Sequence, residues 1–530
     1  MAWHGLFMID IFYYLCARKF INRWKVGQEV GRNRSLTKFE SLTRNLSVLL
    51  AIIGTMFLSC SRNPAEIIPD NSELFDLDSI RTRGRLIVIT DYNSANYFLY
   101  KGEPMGFHYE LLKAFSDHIG IDLEVFGSNS LEDSFAMLHK GQADLLAMGL
   151  TVTRSRGSEL RFTETLDSTR IILVQKKPNR WRSLSADDLE SRLVRDPQNL
   201  SNKTVYVQKG SSHAEYLNAL PDIIVKKLTV IEVPFEAEAL IDLVSRGEIE
   251  YAVCDENIAV INAARFPDID IGTRLSTHQN IAWAIRETNS DQLADELDNW
   301  IRSFRETHTF AILYSKYFRN SNSVKFFQSD YYTLNSGKVS QWDNLIKTYS
   351  ATIGWDWRLL ASLIYQESRF IPDVMSKVGA YGLMQVLPET GRYFGIDVTA
   401  SPELNIKAGV KFIAWLHDIF DSKISDEAER KKFILAAYNA GPGHILDAMK
   451  LAEKNGMDPQ VWEGSVALWV LKKSDPVYYK DSVVKHGYFK GTESVAFVSQ
   501  ILERYRHYRN ILPANGESLT YNTGRASVQK

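Results

Sequence analysis

The hydrophobic pattern changes period once along this chain, and that change constrains the architecture more than any other feature. Between residues 78 and 318, short continuously apolar runs alternate with amphipathic stretches; after residue 341 only a helical period remains. "GRLIVITD" (84–91) reads as a strand buried on both faces. "GFHYELLKAFSDHIG" (106–120) reads as an amphipathic helix, "IDLEVFG" as a second strand, and "LEDSFAMLHKGQADLLAMGL" as another helix and strand. Such alternation predicts a parallel or mixed α/β sheet. A second lobe is expected to begin near "KTVYVQKGSSHAEYLNAL" (203–220), where a Gly-Ser turn leaves free backbone N–H groups at a helix start. "ALIDLVSRGEIEYAVCDENIAV" (239–260) repeats the helix–Gly–strand order of residues 131–149, which predicts two similar lobes.

Beyond the polar connector 318–341, five segments read as helices: "WDNLIKTYSATIG", "WRLLASLIYQESRF", "ELNIKAGVKFIAWLHDIFD", "EAERKKFILAAYNAG" and "TESVAFVSQILERYRHY". Gly441 and Gly443 are read as stops of one of them. In the second segment Glu367 follows Ile364, Leu363 and Leu360 at i−3, i−4 and i−7, so it continues an apolar stripe. A carboxyl group there either finds a partner or keeps a raised pKa. The alternative is a helix-ending glutamate whose stripe has already left the core.

A chain of 530 residues is too long for one core. Its net charge of −2 makes no electrostatic case for nucleic acid. Cys16, Cys60 and Cys254 are too few and scattered for a disulfide framework, and no His or Cys pair has metal-ligand spacing. No metal or cofactor is expected.

"LSVLLAIIGTMFLSC" (46–60) is too short to span a membrane but suits the apolar part of a signal peptide. It resembles a bacterial lipoprotein signal, in which cleavage precedes Cys60 and the thiol receives the lipid. Phe57 departs from the usual aliphatic residue. Ser61 supplies no acidic retention signal, which points to a lipid anchor in the outer membrane. Residues 1–40 would precede this signal, as an early start or an extension lost on processing. Residues 61–77 then read as a linker and 513–530 as a polar tail.

The order "RLIVITD … MGFHYELLKAF … GQADLLAMGLTVTRSR … VYVQKGSS … GEIEYAVCDENIA" resembles the periplasmic solute-binding proteins for amino acids, family 3, over nearly all of residues 80–318. The resemblance implies a two-lobed fold closing on an amino-acid or muropeptide-like ligand. Arg156, ending "T-x-T-x-x-R", would bind the ligand carboxylate, and Asp255 its ammonium. Asp91, Gly149 and Thr151 would complete the pocket. There are two departures: Ser94 stands near the place of the usual covering aromatic, and the usual "GF-D" reads Gly106-Phe107-His108.

The helical part resembles the family 1 lytic transglycosylases, with the all-α lysozyme-like fold. The motifs are Glu367-Ser368, "SKVGAYGLMQVLPET" (376–390), "AAYNAGPG" around Tyr438 and Asn439, and "ESVAFV" (493–498). The resemblance implies cleavage of the MurNAc–GlcNAc bond of peptidoglycan with 1,6-anhydro products. Glu367 would be the single acid and then base, since the nearby Asp373 and Glu389 are not in motif positions that the family uses for a second carboxylate. Ser376, Met384, Gln385, Tyr438 and Asn439 would line the saccharide groove. Phe497 stands where the family usually has Tyr. A muramidase releasing reducing ends, and a lipid-anchored receptor that only grips glycan, are the alternatives.

Overall fold

The structure, a computed structural model, describes residues 76–220, 227–319, 329–512 and 514. The lipidation expected at Cys60, the leader, most of the linker and of the tail, and residues 320–328 of the connector lie outside the described residues. No described helix is long and apolar enough to cross a membrane.

The first domain is built on two sheets. In the first, the order is β4 (Asp122–Gly127), β1 (Arg85–Thr90), β5 (Leu145–Thr151), β13 (Gln279–Arg286) and β6 (Leu160–Phe162), with β7 (Asp167–Thr169) also on β13. In the second it is β10 (Thr229–Val233), β9 (Thr204–Gln208), β11 (Tyr251–Asp255), β8 (Ile171–Lys176) and β12 (Ile269–Arg274). The centres of the sheets match: β5 runs parallel to β1 and antiparallel to β13, and β11 runs parallel to β9 and antiparallel to β8. Helices α1 (Phe107–Ile119) and α2 (Leu131–His139) belong to the first lobe; α3 (Ser212–Asn218), α4 (Ala237–Arg246) and α5 (Glu256–Arg265) belong to the second.

The second lobe begins earlier than the sequence suggests. The chain crosses at Arg170, because β8 pairs with β11 in the second sheet, and it returns between Arg274 and Gln279. The period-2 and apolar-run signals find strands but do not say which sheet receives them. His108 is a second surprise. It is buried in α1, and its Nδ1 accepts from the Trp283 indole at 2.6 Å. Burial lowers its pKa to about 3, so a neutral imidazole stands where an Asp is usual.

The second domain is helical: α6 (Asp343–Ala351), α7 (Trp357–Ser368), α8 (Pro402–Phe420), α9 (Glu427–Ala440), α10 (Pro442–Lys454) and α11 (Thr492–Ile511) are its main elements. Gly441, at φ +82°, ends α9, but Gly443 lies in the first turn of α10 and stops nothing. A Cβ at Gly443 would come within 2.5 Å of the half-exposed His486 ring, so any other residue there would displace that ring.

One apolar cluster runs through both domains. It joins Tyr97, Leu99, Tyr109 and Val125 of the binding domain to the core around α7 and α11. The hairpin β2 (Phe98–Tyr100) and β3 (Glu103–Met105) lies on this border. His507 of α11 is buried there, its Nδ1 2.5 Å from the Tyr97 hydroxyl and its Nε2 3.4 Å from that of Tyr109.

Candidate functional site

Glu367 is the penultimate residue of α7, and the stripe below it (Leu360, Leu363, Ile364) is wholly buried. No described residue hydrogen-bonds its carboxyl group, and burial alone raises its pKa from 4.5 to about 8. The expectation of a raised pKa therefore holds, and the reading of a solvated helix end does not. Asp373 and Glu389 are exposed.

The neighbouring loop is held from three sides. The Ser368 hydroxyl donates to the Leu383 carbonyl at 2.8 Å. The Met384 N–H donates to Asn405 Oδ1 at 2.9 Å, and the Asn405 amide donates in turn to the Tyr381 and Val398 carbonyls. The Tyr438 hydroxyl donates to the Met384 carbonyl at 2.7 Å. Burial, and then the nearby Glu367, hold the Tyr438 phenol well above its usual range, so it stays protonated.

The residues expected in the groove separate into two kinds. Ser376 and Gln385 are half-buried beside the loop. Ser376 Oγ accepts from the Ala380 N–H, and Gln385 spends its amide N–H groups on the Val374 and Gly382 carbonyls, leaving Oε1 without a bond to any described residue. Asn439 is exposed and accepts from the buried Ser494 hydroxyl. Met384 is a correction to the groove reading: its side chain is fully buried against Gly409 of α8, where a Cβ would meet Sδ at 2.4 Å. It contributes backbone to this region and its side chain to the core. Phe497 is buried in the same core. Sequence reasoning missed Phe412 and Trp415: Phe412 stacks on Trp415 and lies 5.2 Å from the Tyr438 ring, giving a partly exposed aromatic row. Their i, i+3 spacing on α8 was the available signal.

In the first domain Asp91, Gly149, Thr151, Arg156 and Asp255 converge on one cleft between the lobes, a cavity of about 70 Å³. Arg156 donates to the Thr151 carbonyl at 3.3 Å and, across the cleft, to the Gly210 carbonyl at 3.0 Å. Asp91 accepts from Asn93 and Asn96, and burial raises its carboxyl to about 6. Asp255 Oδ1 lies 3.4 Å from His213 Nε2; that oxygen and both His213 nitrogens are buried without a hydrogen-bond partner among the described residues. Asn93, Asn96, Gln208 and His213 line the cleft and were not found from sequence, although the Gly-Ser turn before His213 was. Ser94 does not cover the cleft; its N–H donates to buried Glu238 at 2.7 Å.

The comparisons with known proteins fall on the same two units. Residues 85–320 match the profile of bacterial extracellular solute-binding proteins, family 3, and residues 344–460 match that of the transglycosylase SLT domain. The protein thus joins a two-lobed solute-binding fold to a helical transglycosylase domain. A membrane-bound lytic murein transglycosylase F from Desulfosudis oleivorans is 33% identical over 431 residues, 80% of this chain and 90% of that protein. One from Pseudomonas fluorescens is 30% identical over 82% of this chain and 86% of its own length. Among solved structures, a P235GK mutant of ArgBP from T. maritima is 20% identical with a TM-score of 0.39, covering 46% of this chain and 99% of that one. The chain belongs to the membrane-bound lytic murein transglycosylase F family: a lytic transglycosylase with a solute-binding domain ahead of it.

Proposed function

We infer that this protein cleaves the MurNAc–GlcNAc β-1,4 bond of peptidoglycan without water, forming 1,6-anhydromuramyl ends in cell-wall turnover. The observation that carries this reading is Glu367, half-buried at the end of α7, unpartnered among the described residues and raised by desolvation to about 8. A carboxyl group that still holds its proton near neutrality protonates the leaving glycosidic oxygen as the C–O bond breaks. The resulting carboxylate takes the proton of the sugar's own 6-hydroxyl, whose oxygen closes on the anomeric carbon. Ordinary glycosidases add a second carboxylate; the candidates Asp373 and Glu389 are exposed. Ser376, Gln385 and Asn439 would hydrogen-bond the saccharide, and the Phe412–Trp415 row offers a stacking face. Glu367→Gln should keep the fold and glycan binding while turnover falls by about 10²–10⁴-fold; near-normal turnover would move the catalytic role elsewhere.

The first domain binds a small zwitterion or muropeptide-like ligand in this reading, with Arg156 on its carboxylate and Asp255 on its ammonium, and regulates cleavage. A lipid on Cys60 would anchor the protein at the outer membrane, facing the periplasm. Cys60→Ala should shift it to the soluble fraction; unchanged membrane fractionation would refute the anchor.

A further inference from the structure

The turn of the β2–β3 hairpin is where the binding domain touches the helix that carries Glu367. Gly102 at its tip is buried, with φ +82°. A Cβ there would come within 2.6 Å of the Tyr508 hydroxyl, 2.8 Å of the Tyr365 ring and 2.9 Å of the Phe370 ring. Tyr508 donates to the Gly102 carbonyl at 2.9 Å. The Tyr365 hydroxyl donates to the carboxyl group of Glu103, the next residue of the hairpin. Burial, and then that bond, raise the Tyr365 phenol far above neutrality, so it remains a donor.

Tyr365 precedes Glu367 by two residues and therefore sits on the other side of α7. There it is clamped. The Arg504 guanidinium lies 4.1 Å from its ring centre, and the Phe370 ring meets it edge-on at 5.6 Å. The helix then ends in two consecutive non-glycine residues in the left-handed region, Arg369 at φ +52° and Phe370 at φ +64°. Such backbone persists only where the surroundings over-determine it. Here the Arg369 N–H is held by the Tyr365 carbonyl at 2.8 Å, and the Phe370 carbonyl by the Trp342 indole at 3.0 Å. The Phe370 ring is held under the hairpin tip.

Resting on the reading of Glu367 as the acid, we propose that Gly102 and Glu103 of the binding domain are positioning residues for the transglycosylase reaction. They hold the last turn of α7 from behind and so fix how far Glu367 reaches into the groove. Neither touches the substrate. An acid must lie within hydrogen-bond reach of the oxygen it protonates, and small misplacements of a catalytic group cost far more in turnover than in binding.

The test uses the full chain and soluble, uncrosslinked glycan strands, comparing wild type with Glu103→Ala, Glu103→Gln, Tyr92→Phe and Glu367→Gln. Melting temperatures establish that each is folded. Glu103→Ala should lower kcat about tenfold or more and leave KM within about twofold. Glu103→Gln keeps an oxygen that accepts from Tyr365 and should recover kcat to within about threefold of wild type. Tyr92→Phe removes a hydroxyl bond to the Asn510 carbonyl elsewhere on the same border and should keep wild-type kcat. Wild-type kcat in folded Glu103→Ala, an equal loss in Tyr92→Phe, or no recovery in Glu103→Gln overturns the proposal. An inactive Glu367→Gln beside an unimpaired Glu103→Ala overturns the positioning alone; an active Glu367→Gln overturns the acid assignment and the positioning with it.

Discussion

The hydroxyl of Tyr438 donates to the carbonyl of Met384 across 2.7 Å, so α9 holds the loop that flanks Glu367, while Glu367 itself rides on α7. Two helices far apart in sequence thus set the two walls of one site.

Removing that bond should loosen the loop without emptying the core. Tyr438→Phe leaves the Met384 carbonyl without its donor, at a cost of about 1–3 kcal/mol. Denaturant unfolding should show that loss, and turnover should fall with it. Unchanged stability would mean that water or another donor satisfies the carbonyl.

The raised pKa of Glu367 makes two statements about pH. As a general acid, it should give a kcat/KM that declines as pH rises through about 8. For stability, the folded pKa is above the unfolded 4.5, so the group's contribution is whole below 4.5 and is lost between there and about 8. The loss is on the order of 5 kcal/mol at most. Glu367→Gln does not titrate, so its melting temperature should gain on wild type progressively across that window. A gap that stays constant with pH would contradict the burial argument.

His507 has the opposite sign. Burial, then Arg506, Arg504 and Lys113, lower it to about 3, while Glu503 lies 4.0 Å away on the same helix. Its contribution is present above 6.5 and is lost as pH falls toward 3. Hydrogen exchange should therefore speed up at the border segments 97–109 and 505–512 as pH drops below about 6, after correction for intrinsic rates. His507→Gln should flatten that dependence. Equal protection at every pH would show that the imidazole is not what acid disturbs.

Much of this was legible because burial leaves local marks. The runs around Val88 and Ala147 are apolar on both faces, and Glu367 interrupts a stripe that is otherwise Leu and Ile. Met384 was misread because a motif position says nothing about side-chain direction; only the glycine facing it across α8 shows that the thioether packs inward. The domain border left no trace at all. Tyr97 and His507 are 410 residues apart in sequence, and neither lies in a period that names the other. The crossing at Arg170 was missed for the same reason, since a strand's own pattern does not choose its sheet.

Regulation has a separable test. If the cleft takes a zwitterion, Arg156→Ala should abolish ligand-dependent changes in cleavage while basal cleavage persists. Couplings of this kind run about 1–3 kcal/mol, or roughly 5–150-fold. A ligand that modulates Arg156→Ala as strongly as wild type would place its site elsewhere.

The central claim is that the 6-hydroxyl, not water, completes the reaction at Glu367. It is tested most directly by digesting purified peptidoglycan in heavy-oxygen water and weighing the released muropeptides. The account predicts products one water lighter than hydrolysis gives, with no heavy oxygen at the new muramyl end. Labelled products with free reducing ends would contradict it and require a positioned water beside Glu367.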